Sequence, residues 1–238
     1  MSYTTVPYVI AFAGEERRDR LVFERHTGSD GGLRLAYAVP RAGDRVGGIL
    51  RARVRDLRAR PARRGPERMR KLNTRRQWAC MDRLLCQVCA RPAADPGTGR
   101  TWWILVPSVF EPTAMTGLHP DRPWTEGACD EGRTNAPPTC RDCVGIALRE
   151  CPMLQQHALV CTAERVVSAG VLADMYEPGP GLAPRPTAHN VYIAWDAFSR
   201  HPRALATSQV VQLYGVESSV TLAPGSGAHD LPGPRAAP

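Results

Sequence analysis

Four cysteines in two Cys-x-x-Cys pairs are the residues of this chain best suited to chemistry. The pairs are Cys86-Gln-Val-Cys89 and Cys140-Arg-Asp-Cys143. The chain has 8 cysteines among 238 residues, and random placement would give only about 0.3 such pairs. Two pairs of thiolates suit the tetrahedral coordination of Zn²⁺, so the pattern predicts a structural zinc site formed by all four side chains.

The spacing of the two pairs leaves other chemistries open. Fifty residues separate Cys89 from Cys140, whereas about 15–20 separate the pairs in the usual two-pair zinc sequence. A longer excursion of the chain must therefore return to the site. A [4Fe–4S] cluster also takes four cysteines, and a redox dithiol takes one pair, although one active pair does not explain two. Reduced, buried cysteines in an intracellular protein are the simplest alternative.

Further candidate ligands surround the two pairs. His157 with Cys151 and Cys161 is able to form a second metal site or to replace one of the four main ligands. The alternative to a metal site is that Cys151 is packed, His157 lies on the surface and Cys161 is buried in a strand. Cys80 is expected to be buried, and Cys129 is a candidate free thiol.

Positive charge is concentrated in one block, residues 41–76. The block holds 14 basic and 3 acidic residues, and the rest of the chain holds 17 basic and 20 acidic residues. Lys71 is the single lysine, and so much arginine beside abundant Ala, Gly and Pro is typical of a GC-rich genome. The block indicates either a partner with a polyanionic backbone, such as DNA or RNA, or a solvated basic linker. The arginines predicted to contact phosphate are Arg51, Arg53, Arg55, Arg58, Arg63, Arg64, Arg75 and Arg76.

A predicted helix leads into the first cysteine pair. Residues 74–77, Thr-Arg-Arg-Gln, match a capping box. Trp78, Met81 and Leu85 then fall on one helical face. Trp78 at this spacing is expected in the core.

A second predicted helix begins at the second pair. Two prolines precede Thr139, and residues 139–142 again resemble a capping box. Cys140 and Cys143 would then lie in the first helical turn, where free N–H groups and the helix dipole favour thiolates. Pro152 is expected to end this helix.

The sequence shows no signal of export or membrane insertion. The first 14 residues lack a basic segment followed by a long apolar stretch, so no signal peptide is expected. No apolar run approaches the ~18 residues that suggest a membrane-spanning helix. A cytoplasmic location without a membrane partner is therefore expected, where cysteines are metal ligands or buried thiols rather than disulfides.

A cysteine pair, a strand-rich excursion and a second pair that opens a helix resemble the layout of a treble-clef zinc site. Over residues 80–150 the chain is similar to zinc-containing HNH endonucleases, on its cysteine pairs and on Asn135 shortly before Cys140. The resemblance implies a metal-dependent nuclease. The strand that carries the family's Asp-His reads Ile-Leu-Val-Pro-Ser at 104–108, and the second helix lacks the family's second His or Asn. His119 and Asp121 can substitute only in a rearranged geometry. The layout also resembles uncharacterised zinc-knuckle proteins of GC-rich bacteria and their mobile elements.

These patterns predict an α+β fold with a β-rich N-terminal part, a central treble-clef-like zinc centre and a mixed C-terminal part. Five consecutive parts are expected: a β-rich part (1–60), a basic linker (61–73), the zinc centre (74–155), an α/β part (156–222) and a disordered tail (223–238). Strands are expected at 7–12, 21–23, 33–37, 101–110 and 190–195, a hairpin at 159–161 and 166–172, a helix or strand at 49–58 and again at 210–216, and a short helix within 196–206.

Three functions are compatible with these residues. The first is a zinc-structured, non-enzymatic protein that binds nucleic acid through the basic block. The second is a rearranged or degenerate HNH-type nuclease that uses His119, Asp121 and Asn135, because such a site needs metal ligands and a histidine that activates water. The third is a protein-interaction module whose zinc is architectural. No Gly-rich phosphate loop, nucleophile elbow or Walker sequence is present.

Overall fold

The computed structural model describes residues 5–25, 32–105, 131–152, 154 and 158–222. Its α-helices include α1 (Pro61–Arg64), α2 (Thr74–Arg83) and α3 (Arg141–Glu150). The strands are β1 (Ile10–Phe12), β2 (Leu21–Arg25), β3 (Leu33–Tyr37), β4 (Arg45–Val46), β5 (Ile49–Arg51), β6 (Glu67–Leu72), β7 (Thr101–Leu105), β8 (Glu131–Thr134), β9 (Ala158–Ala163), β10 (Arg165–Pro178), β11 (Pro184–Ala194), β12 (Ala204–Tyr214) and β13 (Glu217–Leu222). The α+β class and the β-rich start are confirmed. Within these ranges no helix has the length and apolar character needed to cross a membrane.

The residues group into two compact units, each assembled from separate stretches of chain. The cysteine unit comprises Met1–Tyr8, Arg83–Val167 and Gln212–Pro238. The arginine unit comprises Val9–Asp82 and Ser168–Val211. This grouping divides the chain differently from the five consecutive parts expected from the sequence, because contacts join stretches that are distant along it.

The cysteine unit is built on an antiparallel sheet in the order β13–β9–β7. All six residues of β9 are buried, as expected for the central strand of a covered sheet. On α3, Val144 and Leu148 lie four positions apart, so they share one helical face, and they pack against Ile104 and Val160 of the sheet. This packing fixes the helix that carries the second cysteine pair.

The arginine unit contains the strand order β11–β10–β12–β5–β4. β12 and β5 run parallel, with Leu205 opposite Leu50, whereas β10 and β11 form a long antiparallel pair. Trp78 of α2 is buried beside Ile49 and Val171, which confirms that it belongs to the core. Two further pairs, β2–β3 and β1–β6, complete the described strands of this unit.

Two predicted elements differ in the structure. The expected linker at 61–73 forms α1 and β6, and β6 pairs with β1. The charged side chains of β6 stay exposed while its backbone forms hydrogen bonds with β1. The Arg- and Pro-rich composition therefore predicted a linker where a strand forms. The expected hairpin at 159–172 is also wrong, because β9 pairs with β7 and β13 while β10 pairs with β11. The local pattern indicates where the two strands lie but not their partners, and those of β9 come from distant parts of the chain.

The start of α2 lies one residue earlier than its capping-box pattern indicates. The Asn73 side-chain oxygen accepts a hydrogen bond from the backbone N–H of Arg76 at 3.2 Å. Its carbonyl accepts from Gln77 N–H at 2.9 Å. Asn73 is therefore the N-cap, a position that asparagine favours, and Thr74 is the first helical residue.

Candidate metal centre and arginine surface

The two cysteine pairs meet in the cysteine unit. The sulfurs of Cys86, Cys89, Cys140 and Cys143 all lie within 4.8 Å of one another. The Sγ atoms of Cys89 and Cys140 are 3.7 Å apart, and sulfurs bound at ~2.3 Å to one tetrahedral ion would be about 3.8 Å apart. These four thiols lie close enough to bind a metal ion, and the donor set and its spacing fit a single one.

A tight turn of the chain, residues 86–91, presents the first pair. The backbone N–H of Cys86 donates to the carbonyl of Arg91 at 2.7 Å, and Ala90 N–H donates to the carbonyl of Cys86 at 2.9 Å. Val88 N–H points to the Cys86 sulfur at 3.4 Å. An amide donor at a sulfur stabilises the thiolate form that a metal requires.

The start of α3 presents the second pair. Cys140 is the N-cap, with extended backbone angles, and Cys143 occupies the third position of the helix. The predicted cap, Thr139, is thus one residue too early. Its hydroxyl instead accepts from the Gln87 side chain at 2.9 Å, because Thr139 is held beside β7 by a bond from its N–H to the Trp102 carbonyl. Both thiols nevertheless lie at the positive end of the helix dipole, as expected.

Arg91 connects the two halves of the centre and was missed at the sequence level. Its Nε approaches the Cys89 sulfur at 3.5 Å, and its Nη2 donates to Asp142 of α3 at 3.1 Å. The sequence feature that could have predicted this role is the position of Arg91, two residues after the first pair. A positive charge there lies close to cysteine ligands that are negatively charged once they are deprotonated. The exposed ion pair to Asp142 adds little stability by itself.

The thiols differ in how readily they ionise. Burial raises the pKa of Cys89, but hydrogen bonds from the Arg91 side chain and backbone outweigh burial and lower that pKa to about 7. Burial raises the pKa of Cys140 to about 11, and it also raises the pKa of Cys143. At neutral pH a metal must therefore displace protons from the more deeply placed thiols.

The competing candidate ligands do not join this group in the described part of the chain. Cys80 and Cys161 are fully buried, as expected, and burial raises the pKa of Cys161 to about 12. Cys151 is half-buried and caps the C-terminus of α3. His157 and Cys129 lie outside the described residues.

The residues of the nuclease hypothesis are only partly described. Asn135 follows β8 and is half-buried, five positions before the Cys140 cap. His119 and Asp121 lie outside the described residues. The strand in which the family carries its Asp-His corresponds to β7, which pairs with β9.

Arg76 is a correction to the set of predicted phosphate contacts. Its side chain is 1% exposed and forms ion pairs of 2.6 Å with Glu15 and with Asp56. A further bond joins it to the carbonyl of Ile10 at 2.7 Å. A guanidinium that is buried and engaged in this way is not free to reach a phosphate, so Arg76 has a structural role.

Arg53 is engaged in a similar way. It lies 2.6 Å from a carboxylate oxygen of Asp44 and stacks 3.9 Å from the centre of the Tyr37 ring. Its side chain is 9% exposed. Arg53 therefore organises the loop of Asp44 rather than offering a free positive charge.

The other predicted arginines remain closer to solvent. Arg55, Arg63 and Arg75 are exposed, and Arg51, Arg58 and Arg64 are half-buried. Arg64 lies 4.5 Å from the centre of the Phe12 ring, and Arg51 lies 5.4 Å from that of Trp78. Among the described residues, Arg51, Arg55, Arg63, Arg64 and Arg75 form no ion pair with a carboxylate.

Comparison with known proteins gives no relative for this centre. No protein-family model, curated protein or solved structure matches the chain. Function must therefore be inferred from the sulfur geometry and the arginines themselves.

Proposed function

We propose that this protein binds nucleic acid through arginines of the arginine unit and that a Zn²⁺ ion structures its cysteine unit. The observation that carries the proposal is the set of arginines in the 41–76 block that have no carboxylate partner among the described residues. Arg53 and Arg76, by contrast, are largely buried and paired with carboxylates. Arginine suits phosphate because its planar guanidinium binds two oxygens at once.

The zinc in this proposal is architectural. Four cysteine sulfurs would fill a tetrahedral shell and leave no position for water or substrate, as in structural zinc sites. A four-iron cluster binds each sulfur to a different iron and spreads the sulfurs farther apart than one ion does, so the sulfurs within 4.8 Å of one another favour a single ion. The ion would hold the 86–91 turn against the first turn of α3.

Salt-titrated binding tests the nucleic-acid part of the proposal. Fluorescence anisotropy with labelled single-stranded DNA, duplex DNA and RNA should show affinity that falls linearly with salt on logarithmic axes. The variant R55A/R63A/R75A should weaken binding and reduce the slope by roughly 2 to 3. A matched variant, R18A/R185A/R203A, loses the same charge outside residues 41–76 and should change binding far less. Salt-independent or absent binding contradicts the proposal and leaves a protein-interaction module with architectural zinc.

A metal-dependent nuclease is a second proposal. The position of Asn135 just before the helix that carries the second cysteine pair favours it, since the resembling family places an asparagine there. Incubation of supercoiled plasmid with Mg²⁺, Mn²⁺ or Zn²⁺ should then give nicks, and H119A should abolish them while binding persists. Intact plasmid under all three ions removes this proposal.

A further inference from the structure

A cleft of about 500 Å³ lies entirely within the arginine unit. This volume falls in the ~300–1,000 Å³ range of small-molecule sites. Its wall contains five arginines and two aspartates together with apolar residues. The charged lining residues are Arg17, Arg41, Arg51, Arg53, Arg75, Asp44 and Asp82.

Two of the five arginines are neutralised by carboxylates. Arg17 donates to Asp19 at 2.7 Å, and Arg53 pairs with Asp44 at 2.6 Å. The Asp44 carboxylate also accepts the backbone N–H of Arg41 at 2.6 Å. Although burial raises the pKa of Asp44, these partners outweigh burial and lower it, so Asp44 stays ionised and occupied.

The remaining three arginines are not neutralised by any described carboxylate. Arg41, Arg51 and Arg75 form no ion pair with any described carboxylate, and Arg41 and Arg75 are exposed. Asp82, the other acidic residue of the wall, is exposed as well. With these two pairs neutral, the three remaining arginines and Asp82 give the wall a net charge of +2, which attracts an anion.

One side of α2 forms part of the wall, from Thr74 and Arg75 in its first turn to Asp82 in its last. The opposite arm of the cleft is the turn at residues 41–44, whose shape is fixed by Gly43 with a φ of 79° and by the bonds to Asp44.

The cleft also has an apolar surface. Trp78 lies beneath this wall, buried in the core, with the Arg51 guanidinium carbon 5.4 Å from the centre of its ring. Val54 and Ala79 are further apolar members of the wall. A guanidinium held near an aromatic ring offers a flat face on which a planar base can stack, as in proteins that bind single strands.

We propose that this cleft binds one nucleotide, with its phosphate held by Arg41, Arg51 and Arg75 and its base against the apolar wall. The inference rests on the proposed nucleic-acid binding and deepens it, because it assigns the preferred substrate as an unpaired nucleotide. The nucleotide belongs either to a single strand or to a free mononucleotide. Both carry the same phosphate and base, and only the strand extends beyond the cleft.

Calorimetry and competition separate these cases. The probes are a single-stranded 12-mer, a hairpin duplex of equal charge, AMP, adenosine and inorganic phosphate. The wild-type protein should prefer the single strand to the duplex, and AMP should displace the strand while adenosine should not. The variant R51A/R75A should weaken single-strand binding roughly a hundredfold, as expected for two lost charge-assisted contacts of about 1.5 kcal/mol each. It should also lose binding of AMP.

The control variant R55A/R63A removes the same charge outside the cleft wall. It should weaken single strand and duplex equally and leave AMP binding unchanged. R75A alone provides a second test, because Arg75 is exposed and its loss does not disturb the core; circular dichroism should be unchanged. If R51A/R75A binds strand, duplex and AMP as R55A/R63A does, the cleft is an ordinary part of the basic surface and the inference is wrong, while salt-dependent binding still supports the proposed function.

A different failure separates the two proposals. If the wild-type protein binds no polynucleotide at any salt concentration but binds AMP through Arg51 and Arg75, the proposed function is wrong and the cleft is a site for a free nucleotide. If neither AMP nor any strand binds, both proposals are overturned.

Discussion

Ala90 introduces backbone strain into the turn that presents the first cysteine pair. It is the penultimate residue of the 86–91 turn and has a φ of 62°, in the left-handed region that a side chain disfavours by roughly 1 kcal/mol or more. Its N–H must still reach the Cys86 carbonyl at 2.9 Å to close the turn. The closed turn therefore contains backbone strain that a glycine would relieve.

Replacing Ala90 by glycine should stabilise the zinc-loaded protein by about 1 kcal/mol. Urea unfolding of the zinc-loaded forms measures the difference. The matched change A79G, within α2 where helical angles suit alanine, should destabilise by about 1 kcal/mol. Equal destabilisation by both changes would show that the left-handed angle at Ala90 carries no strain.

The four-sulfur assignment is tested at the same scale. C86S should leave the purified protein without stoichiometric metal, whereas C151S, the same change at a half-buried thiol outside the group, should retain it. Elemental analysis and a visible spectrum give the readout, with one zinc per chain and no colour expected for C151S. Metal loss in C151S, or brown absorbance with iron in the wild type, would contradict the assignment.

Glu15 acts at the scale of elements, because one carboxylate joins several of them. It accepts hydrogen bonds from Phe12 N–H in β1, from Leu57 N–H at 2.9 Å and from the Asn73 side chain that caps α2. Arg76 donates to both of its oxygens at 2.6 and 2.8 Å. The end of β1, the loop after β5 and the start of α2 are thereby fixed around one buried charge.

The pH dependence of stability should reveal this carboxylate. Burial raises the pKa of Glu15, but its hydrogen bonds outweigh burial and lower it to about 2, against 4.5 for an unperturbed side chain. Because the pKa is lower in the folded state than in the unfolded state, the ionised carboxylate stabilises the folded protein above pH 4.5. This stabilisation is lost as the pH falls towards 2. The contribution is roughly 3 kcal/mol.

E15Q should therefore be less stable than the wild type by roughly 3 kcal/mol at pH 7, with the gap closing on acidification. Urea unfolding of both proteins between pH 7 and pH 3 measures the gap. Loss of metal at low pH affects both proteins alike and cancels in the difference. A gap that is independent of pH would assign Glu15 a packing role only.

At the scale of the whole molecule, each unit has its own buried core. Cys86, Val88 and Cys143 cluster in the cysteine unit, and Trp78 with Ile49 in the arginine unit. The buried thiols pack in the first core as small apolar side chains, and a bound metal would add bonds that join its two chain segments. Metal binding is therefore expected to act as folding energy for the cysteine unit.

Chelation should expose this dependence. Treatment with EDTA should remove hydrogen-exchange protection from β7, β9 and α3, while β2 and β3 of the arginine unit keep theirs. Zinc added back should restore protection. Uniform loss across both units, or no loss at all, would contradict an architectural metal in the cysteine unit.

Local patterns predicted the parts of this fold that depend on neighbouring residues. The strands β2 and β3, the helices α2 and α3 and the joining of the cysteine pairs follow from periodicity and spacing. The burial of Arg76 does not, because it depends on Glu15, 61 residues away. The partners of β9 likewise lie far along the chain. An arginine inside a basic block gives no local sign that its carboxylate partner lies in another segment.

The 3.7 Å between the Cys89 and Cys140 sulfurs has a consequence for a chain stripped of its ion. Two thiols so close need to move by less than 2 Å to reach disulfide length, and dioxygen can accept the two electrons and two protons that they release. In a chelated sample kept in air, formation of this disulfide should lower the mass by two hydrogens and prevent metal binding. Reduction by dithiothreitol should restore both the mass and the metal binding. Oxidation during storage is then the expected route by which a metal-free sample of this protein loses its capacity to bind metal.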